Sequence, residues 1–108
     1  MPSHLGELEQ LVLLALLRLG RDGYGVTVRE ELARQAGRPM SLGTVYKTLL
    51  RLEAKGLVAA HIGEPTPERG GRRKKHYAVT GAGRRALQHS LGTIRRMSQG
   101  LDAAWNRP

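Results

Sequence analysis

The chain has 108 residues, with 18 Lys and Arg against 9 Asp and Glu for a formal net charge of +9, and it contains no Cys, no Phe and one Trp. That length suits one domain and excludes a catalytic unit joined to a separate regulatory one, and 40% apolar with 25% charged residues is a globular composition. Lack of Cys excludes a disulfide framework, thiolate zinc sites, iron–sulfur clusters and cysteine nucleophiles, and suits a reducing cytoplasm.

Residues 6–19 are predicted as a helix that is apolar on almost every side after its first turn, with Leu8, Leu11, Val12, Leu13, Leu14, Ala15, Leu16, Leu17 and Leu19. Its longest apolar run, residues 11–17, is far short of the roughly 18 that a membrane span needs. The run follows Glu7 and Glu9 rather than a basic stretch, so no export signal is expected. An all-round apolar helix must be covered on more than one face. In so short a chain part of it, Leu11 and Leu14 included, is expected to meet a second subunit; the alternative is burial wholly within the chain.

Arg21, Asp22 and Gly23 read as a turn, and Tyr24 and Gly25 open a second helix to about Ala36. Val28 and Leu32 face inward there, with Arg29, Glu30, Glu31 and Arg34 outward. Pro39 ends this region, since it donates no helical hydrogen bond and disfavours helix at Arg38. A third helix is predicted from the N-cap Ser41 to Lys55, with Gly56 as its stop. At 100° per residue Leu42, Val45, Leu49 and Leu52 share its apolar face, opposite Thr44, Lys47, Thr48, Arg51 and Lys55. The outer face therefore holds hydroxyls and cations but no carboxylate, and Glu53 lies near the inner side, within reach of a basic neighbour.

Two short strands follow, over residues 57–62 and 76–80, with Val58/Ile62 and Tyr77/Val79 in period two. The prolines and glycines between them forbid a helix, so Arg69, Arg72, Arg73, Lys74 and Lys75 lie on the loop and returning strand of a hairpin. Thr80 is positioned to cap a final helix over about residues 82–105, along which Leu87, Leu91, Ile94, Leu101 and Trp105 form a seam, interrupted where Ser98 sits beside Met97. Gly92 and Gly100 weaken that helix by roughly 1 kcal/mol each relative to Ala, so packing must hold it together. Packing against another chain is expected; folding back on its own domain is the alternative.

Charge is unevenly spread: residues 1–68 carry 8 basic and 8 acidic side chains, whereas residues 69–101 carry 9 basic and none acidic. A concentrated positive field attracts polyanions by releasing their counterions, which points first to nucleic acid and then to an anionic membrane surface or an acidic protein. The order of elements narrows the choice. Helices two and three form a helix-turn-helix, and the hairpin directly after them makes it winged. The fold class is thus mainly α with a small two-stranded β wing: a winged helix-turn-helix over residues 1–80 and a long C-terminal dimerisation helix over residues 81–108. A major groove admits one helix, here the third, while the wing cations reach backbone or minor groove beside it. RNA modules stack bases on aromatic side chains, and only 4% of this chain is aromatic.

The residues resemble PadR-type transcriptional regulators. The resemblance is carried by Leu8-Glu9-Gln10-Leu11-Val12-Leu13-Leu14-Ala15-Leu16, by Gly23-Tyr24, and by Ser41-Leu42-Gly43-Thr44-Val45-Tyr46. It continues through Leu49-Leu50-Arg51-Leu52-Glu53-Ala54-Lys55-Gly56-Leu57-Val58 and through Gly71-Arg72-Arg73-Lys74-Lys75-His76-Tyr77-Ala78-Val79-Thr80-Gly81-Ala82-Gly83. It spans about residues 5–90, and the short C-terminal helix is similar to the compact subfamily, which lacks a larger dimerisation domain. Arg73 stands where proline is usual in the wing, His76 where the first of two tyrosines is usual, and Gly81 where glutamate is usual. The last difference removes a favourable charge from the first turn of the final helix.

The resemblance implies a cytoplasmic homodimeric repressor whose third helices enter successive major grooves of an inverted-repeat operator in double-stranded DNA, with half-sites about 34 Å apart. By match to the motif, Ser41, Thr44, Tyr46 and Lys47 open the recognition helix, Tyr46 being both core and contact. Arg51, Arg72, Arg73, Lys74 and Lys75 are implied as phosphate contacts, and Tyr24 as a further contact. Leu11, Leu14, Leu87, Leu91, Ile94, Leu101 and Trp105 are the expected dimer contacts. Family members are often relieved by planar or phenolic compounds bound between subunits; Trp105 is then either a stacking surface for such an effector or a packing anchor.

No enzyme, cofactor or metal is expected. His4, His61, His76 and His89 have no ligand spacing, although His61 and His76 can face each other across the hairpin. No phosphate-binding glycine pattern and no nucleophile elbow is present. A non-specific architectural DNA binder and a protein-interaction module with a basic tail remain as alternatives.

Overall fold

In the computed structural model, which describes residues 4–63 and 74–107, the apolar N-terminal run forms α1 (Glu7–Leu19). Its first turn closes through Glu9, whose Oε1 accepts from the Gly6 backbone N–H at 2.9 Å. A 3-10 turn over Gly20–Asp22 leads to α2 (Gly25–Gln35). After a Pro-containing connection comes α3 (Leu42–Ala54), where the Ser41 hydroxyl accepts from the Thr44 N–H at 3.1 Å as the predicted N-cap. Gly56 stops α3 with a φ of 74° that side chains rarely tolerate.

Strands β1 (Val58–Ile62) and β2 (Lys75–Val79) pair antiparallel, with Val58 opposite Val79 and His61 opposite His76. Thr80 does two things at once: its Oγ1 donates to Gly56 O at 2.8 Å and accepts from Gly83 N at 3.0 Å, which ties the end of α3 to the start of α4 (Gly81–Ser98). A short α5 (Asp102–Trp105) follows. The final helix is therefore not continuous over residues 82–105. It breaks at Gln99, whose backbone is extended, and Gly100, whose φ is 77°. The glycine expected only to weaken the helix is where the chain turns out of it.

Val12, Leu13 and Leu16 of α1, Val28 and Leu32 of α2, and Val45, Leu49 and Leu52 of α3 make the core, closed by Leu57, Val58, Tyr77 and Leu87. Much of the cover for α1 thus comes from its own chain, while Leu11 and Leu14 are half-buried in a groove against α2 and Leu17 is exposed.

Two carboxylates expected at the surface or left unassigned are buried as cross-links. Glu31 was expected outward; it is buried and accepts from Arg18 of α1 at 2.9 Å and from Arg34. Glu9 is buried and accepts from Lys55 Nζ at 2.7 Å, so Lys55 leaves the outer face of α3 to join that helix to α1. Thr48, also expected outward, is buried, with its hydroxyl donating to Thr44 O at 3.0 Å. Because α3 packs under two helices, its buried sector is wider than four apolar residues indicate, and an internally bonded threonine fits its edge.

Candidate nucleic-acid interface

The exposed side of α3 carries Ser41, Thr44, Tyr46, Lys47 and Arg51. At its start the Ser41 and Thr44 hydroxyls lie 3.0 Å apart, holding two groups that both donate and accept at the helix mouth. Tyr46 crosses from α3 to α2: a β-carbon added at Gly25 would lie 2.5 Å from Tyr46 Cζ. Glycine at the first position of α2 is what lets the far end of this ring approach the neighbouring helix, while Tyr46 keeps an exposed part.

The wing is fastened to the beginning of α2. Gly23 O accepts from Tyr77 N at 2.8 Å, and Tyr24 forms an isolated antiparallel bridge with His76, which extends the wing by a short third segment. The Tyr24 ring meets His76 edge-on at 5.4 Å. Lys74 Nζ donates to the Tyr24 hydroxyl at 3.2 Å and sits 4.5 Å from the ring centroid. His76 Nδ1 lies 2.9 Å from Arg21 O, which only accepts, so that nitrogen carries the hydrogen. His61 and His76 do face each other across the hairpin, stacked at 5.3 Å.

A continuous line results: Lys74 on the wing holds Tyr24, Tyr24 precedes Gly25, and Gly25 supports Tyr46 on the recognition helix. The contacts of His76 with Tyr24 and Arg21 are not legible in the sequence, because the turn before α2 offers no local sign that it will pair with a strand some fifty residues later.

Lys75 points elsewhere. Its Nζ is 3.8 Å from Glu53 Oε1 and 5.4 Å from the Tyr77 ring centroid, on the face of β2 that carries Tyr77. This is the basic neighbour expected for Glu53. Arg72 and Arg73 lie outside the described residues. Among the described residues no cluster of three or more His, Asp or Glu could hold a metal ion, and no helix is long and apolar enough to cross a membrane.

The expected dimer contacts divide. Leu87 is 3% exposed in the core of its own chain, and Leu91 packs against that core. Burial within the chain removes Leu87 from the surface on which it was expected. Ile94 is 56% exposed, Met97 75% and Trp105 67%, with Leu101 also exposed, so apolar surface grows as α4 leaves the body.

The PadR-like family of transcriptional regulators matches residues 13–89 of this chain. Similar folds include a PadR family transcription regulator from Clostridium difficile R20291, with TM-score 0.75 and 22% identity, covering 94% of this chain and 100% of that one. A PadR family transcriptional regulator from Eggerthella lenta DSM 2243 has TM-score 0.67 and 28% identity, covering 94% of this chain and 88% of that one. Bacillus subtilis PadR, solved in complex with operator DNA, has TM-score 0.65 and 22% identity, with 79% of this chain matching 46% of that longer one. No curated protein matches the chain in sequence. With the family match covering most of its length and the winged helix-turn-helix in place, the chain belongs to the PadR-like family of transcriptional regulators.

Proposed function

We propose that the chain acts in the cytoplasm as a homodimeric repressor that recognises an inverted-repeat operator in double-stranded DNA. The observation that carries this reading is the line from Lys74 through Tyr24 and Gly25 to Tyr46, which ties a wing cation to the start of α2, the same place where Tyr46 of α3 packs. Ser41, Thr44, Tyr46 and Lys47 enter the major groove. Arg51 and Lys74, with Arg72 and Arg73, neutralise phosphates, and Tyr24 adds a phenol. Lys75 adds charge near the backbone when its long, exposed contact with Glu53 opens.

The dimer reading is supported by the uncovered apolar residues Ile94, Met97, Leu101 and Trp105. A second copy of α4 and α5 buries them, with Leu91 at the inner end of the seam and Leu11 and Leu14 lining the groove beside α2. A planar aromatic effector stacks on Trp105 in this arrangement. It lowers DNA affinity if it binds more tightly to a dimer whose two recognition helices are wrongly spaced for the operator.

A gel shift comparing the chain's own promoter with scrambled DNA of the same composition tests the reading. Clear preference for the promoter is expected; equal affinity selects a non-specific architectural binder, and no affinity for either selects a protein-interaction module. Lys47→Ala and Arg72→Ala should each weaken promoter binding, the latter also reducing the salt slope by about one. A reporter driven by that promoter should rise when the chain is deleted.

A further inference from the structure

Leu50 is 53% exposed on α3, the helix whose Val45, Leu49 and Leu52 are fully buried. Positions 43, 47 and 50 are separated by four and three residues, so Gly43, Lys47 and Leu50 form one line along the exposed side of that helix. Among the described residues nothing accounts for Gly43. A β-carbon there would meet only Ser41 Oγ, at an ordinary 3.9 Å, whereas one at Gly25 would collide with Tyr46. Glycine in a helix is less favourable than alanine, so its presence at an open surface position suits a close approach from outside.

An apolar side chain on a groove-facing surface has few partners. The edges of bases in the major groove offer donors and acceptors, and the one apolar group among them is the 5-methyl of thymine. Resting on the DNA-binding reading above, we propose that Leu50 is a specificity residue that packs on the 5-methyl group of a thymine in each operator half-site. Gly43, one side-chain layer thinner than any other residue, lets α3 lie deep enough for Leu50 to reach it. Lys47 between them supplies charge that does not distinguish methylated from unmethylated pyrimidines.

Duplex sites selected from a random pool by the intact protein provide the probe. Each thymine is then replaced in turn by deoxyuridine, which removes the methyl and keeps the base pair. At one thymine per half-site the intact protein should bind about fourfold more weakly, the effect of one buried methyl. Leu50→Ala should bind the thymine and uracil forms equally there, Leu50→Met should keep most of the difference, and Lys47→Ala should weaken both forms while preserving their ratio.

Indifference of the intact protein to every replacement overturns the proposal. So does a Leu50→Ala variant that still discriminates. Selection without any consensus overturns sequence-specific recognition itself, a different and separately visible failure.

Discussion

The ring of Tyr46 on α3 fills the space that a side chain at Gly25 on α2 would occupy, with only 2.5 Å between its Cζ and the position of a β-carbon. This contact sets how closely the two helices of the helix-turn-helix approach, because Tyr46 would have to swing into solvent before any larger residue fitted. Gly25→Ala should therefore destabilise the protein by about 1–3 kcal/mol, the usual effect of overpacking. In a Tyr46→Ala background the same change should be neutral or stabilising. Denaturant unfolding of the four proteins measures the coupling, and an unchanged cost in that background means that Tyr46 is not the obstacle.

Gly43→Ala separates stability from binding. Open space around Gly43 leaves the helix gain of alanine unopposed, so the variant should be up to about 1 kcal/mol more stable. The added methyl should at the same time weaken promoter binding by holding α3 away from the groove. Thermal melts and gel shifts on the same preparation check both directions; a variant that is less stable, or binds as well as the parent, counts against the assignment.

Acid stability should depend on the two buried carboxylates. Burial pushes the Glu9 carboxyl up, but the hydrogen bonds from Lys55 and the Gly6 N–H, with the Lys55 and Arg51 charges, outweigh it and hold it below its ordinary 4.5. The Arg18 and Arg34 hydrogen bonds lower Glu31 likewise. Folded values below the unfolded ones mean that the stabilisation is fully present above about pH 5 and is lost as pH falls through the depressed folded values. Lys55→Met should cost about 2 kcal/mol at pH 7, less than a fully buried pair because Lys55 keeps some solvent contact. Unfolding at pH 7 and at pH 3 should show that cost shrinking in acid as Glu9 takes up a proton.

Ile94→Glu should give a monomer that melts as a folded domain, because Ile94 is largely exposed in the single chain. Leu91→Glu is a less clean probe, since Leu91 also packs on the core of its own chain. Light scattering with a thermal melt distinguishes the cases, and a persistent Ile94→Glu dimer places the interface elsewhere.

Local signals in the sequence were enough for the elements up to the break between α4 and α5, and for most of their ends: the N-cap Ser41, the stop at Gly56, the cap Thr80 and the two strands all depend on residues within a few positions of one another. The absence of carboxylates from the outer face of α3 was equally legible from its 100° spacing. Tertiary structure decided what depends on distant partners. Glu31 and Lys55 leave the outer faces because α1 supplies their partners, Thr48 is buried with its hydroxyl bonded inside α3, and Leu87 is drawn into the core.

The wing's position was likewise settled by Tyr24 and His76, brought together by a strand bridge rather than by anything near either in sequence. Helical periodicity names a face and its polarity. Which side chains that face buries, and which it leaves to a partner, depends on the elements packed against it. Of the cations concentrated in the C-terminal third, Lys74 is given its place by the contact with Tyr24, which composition alone does not reveal.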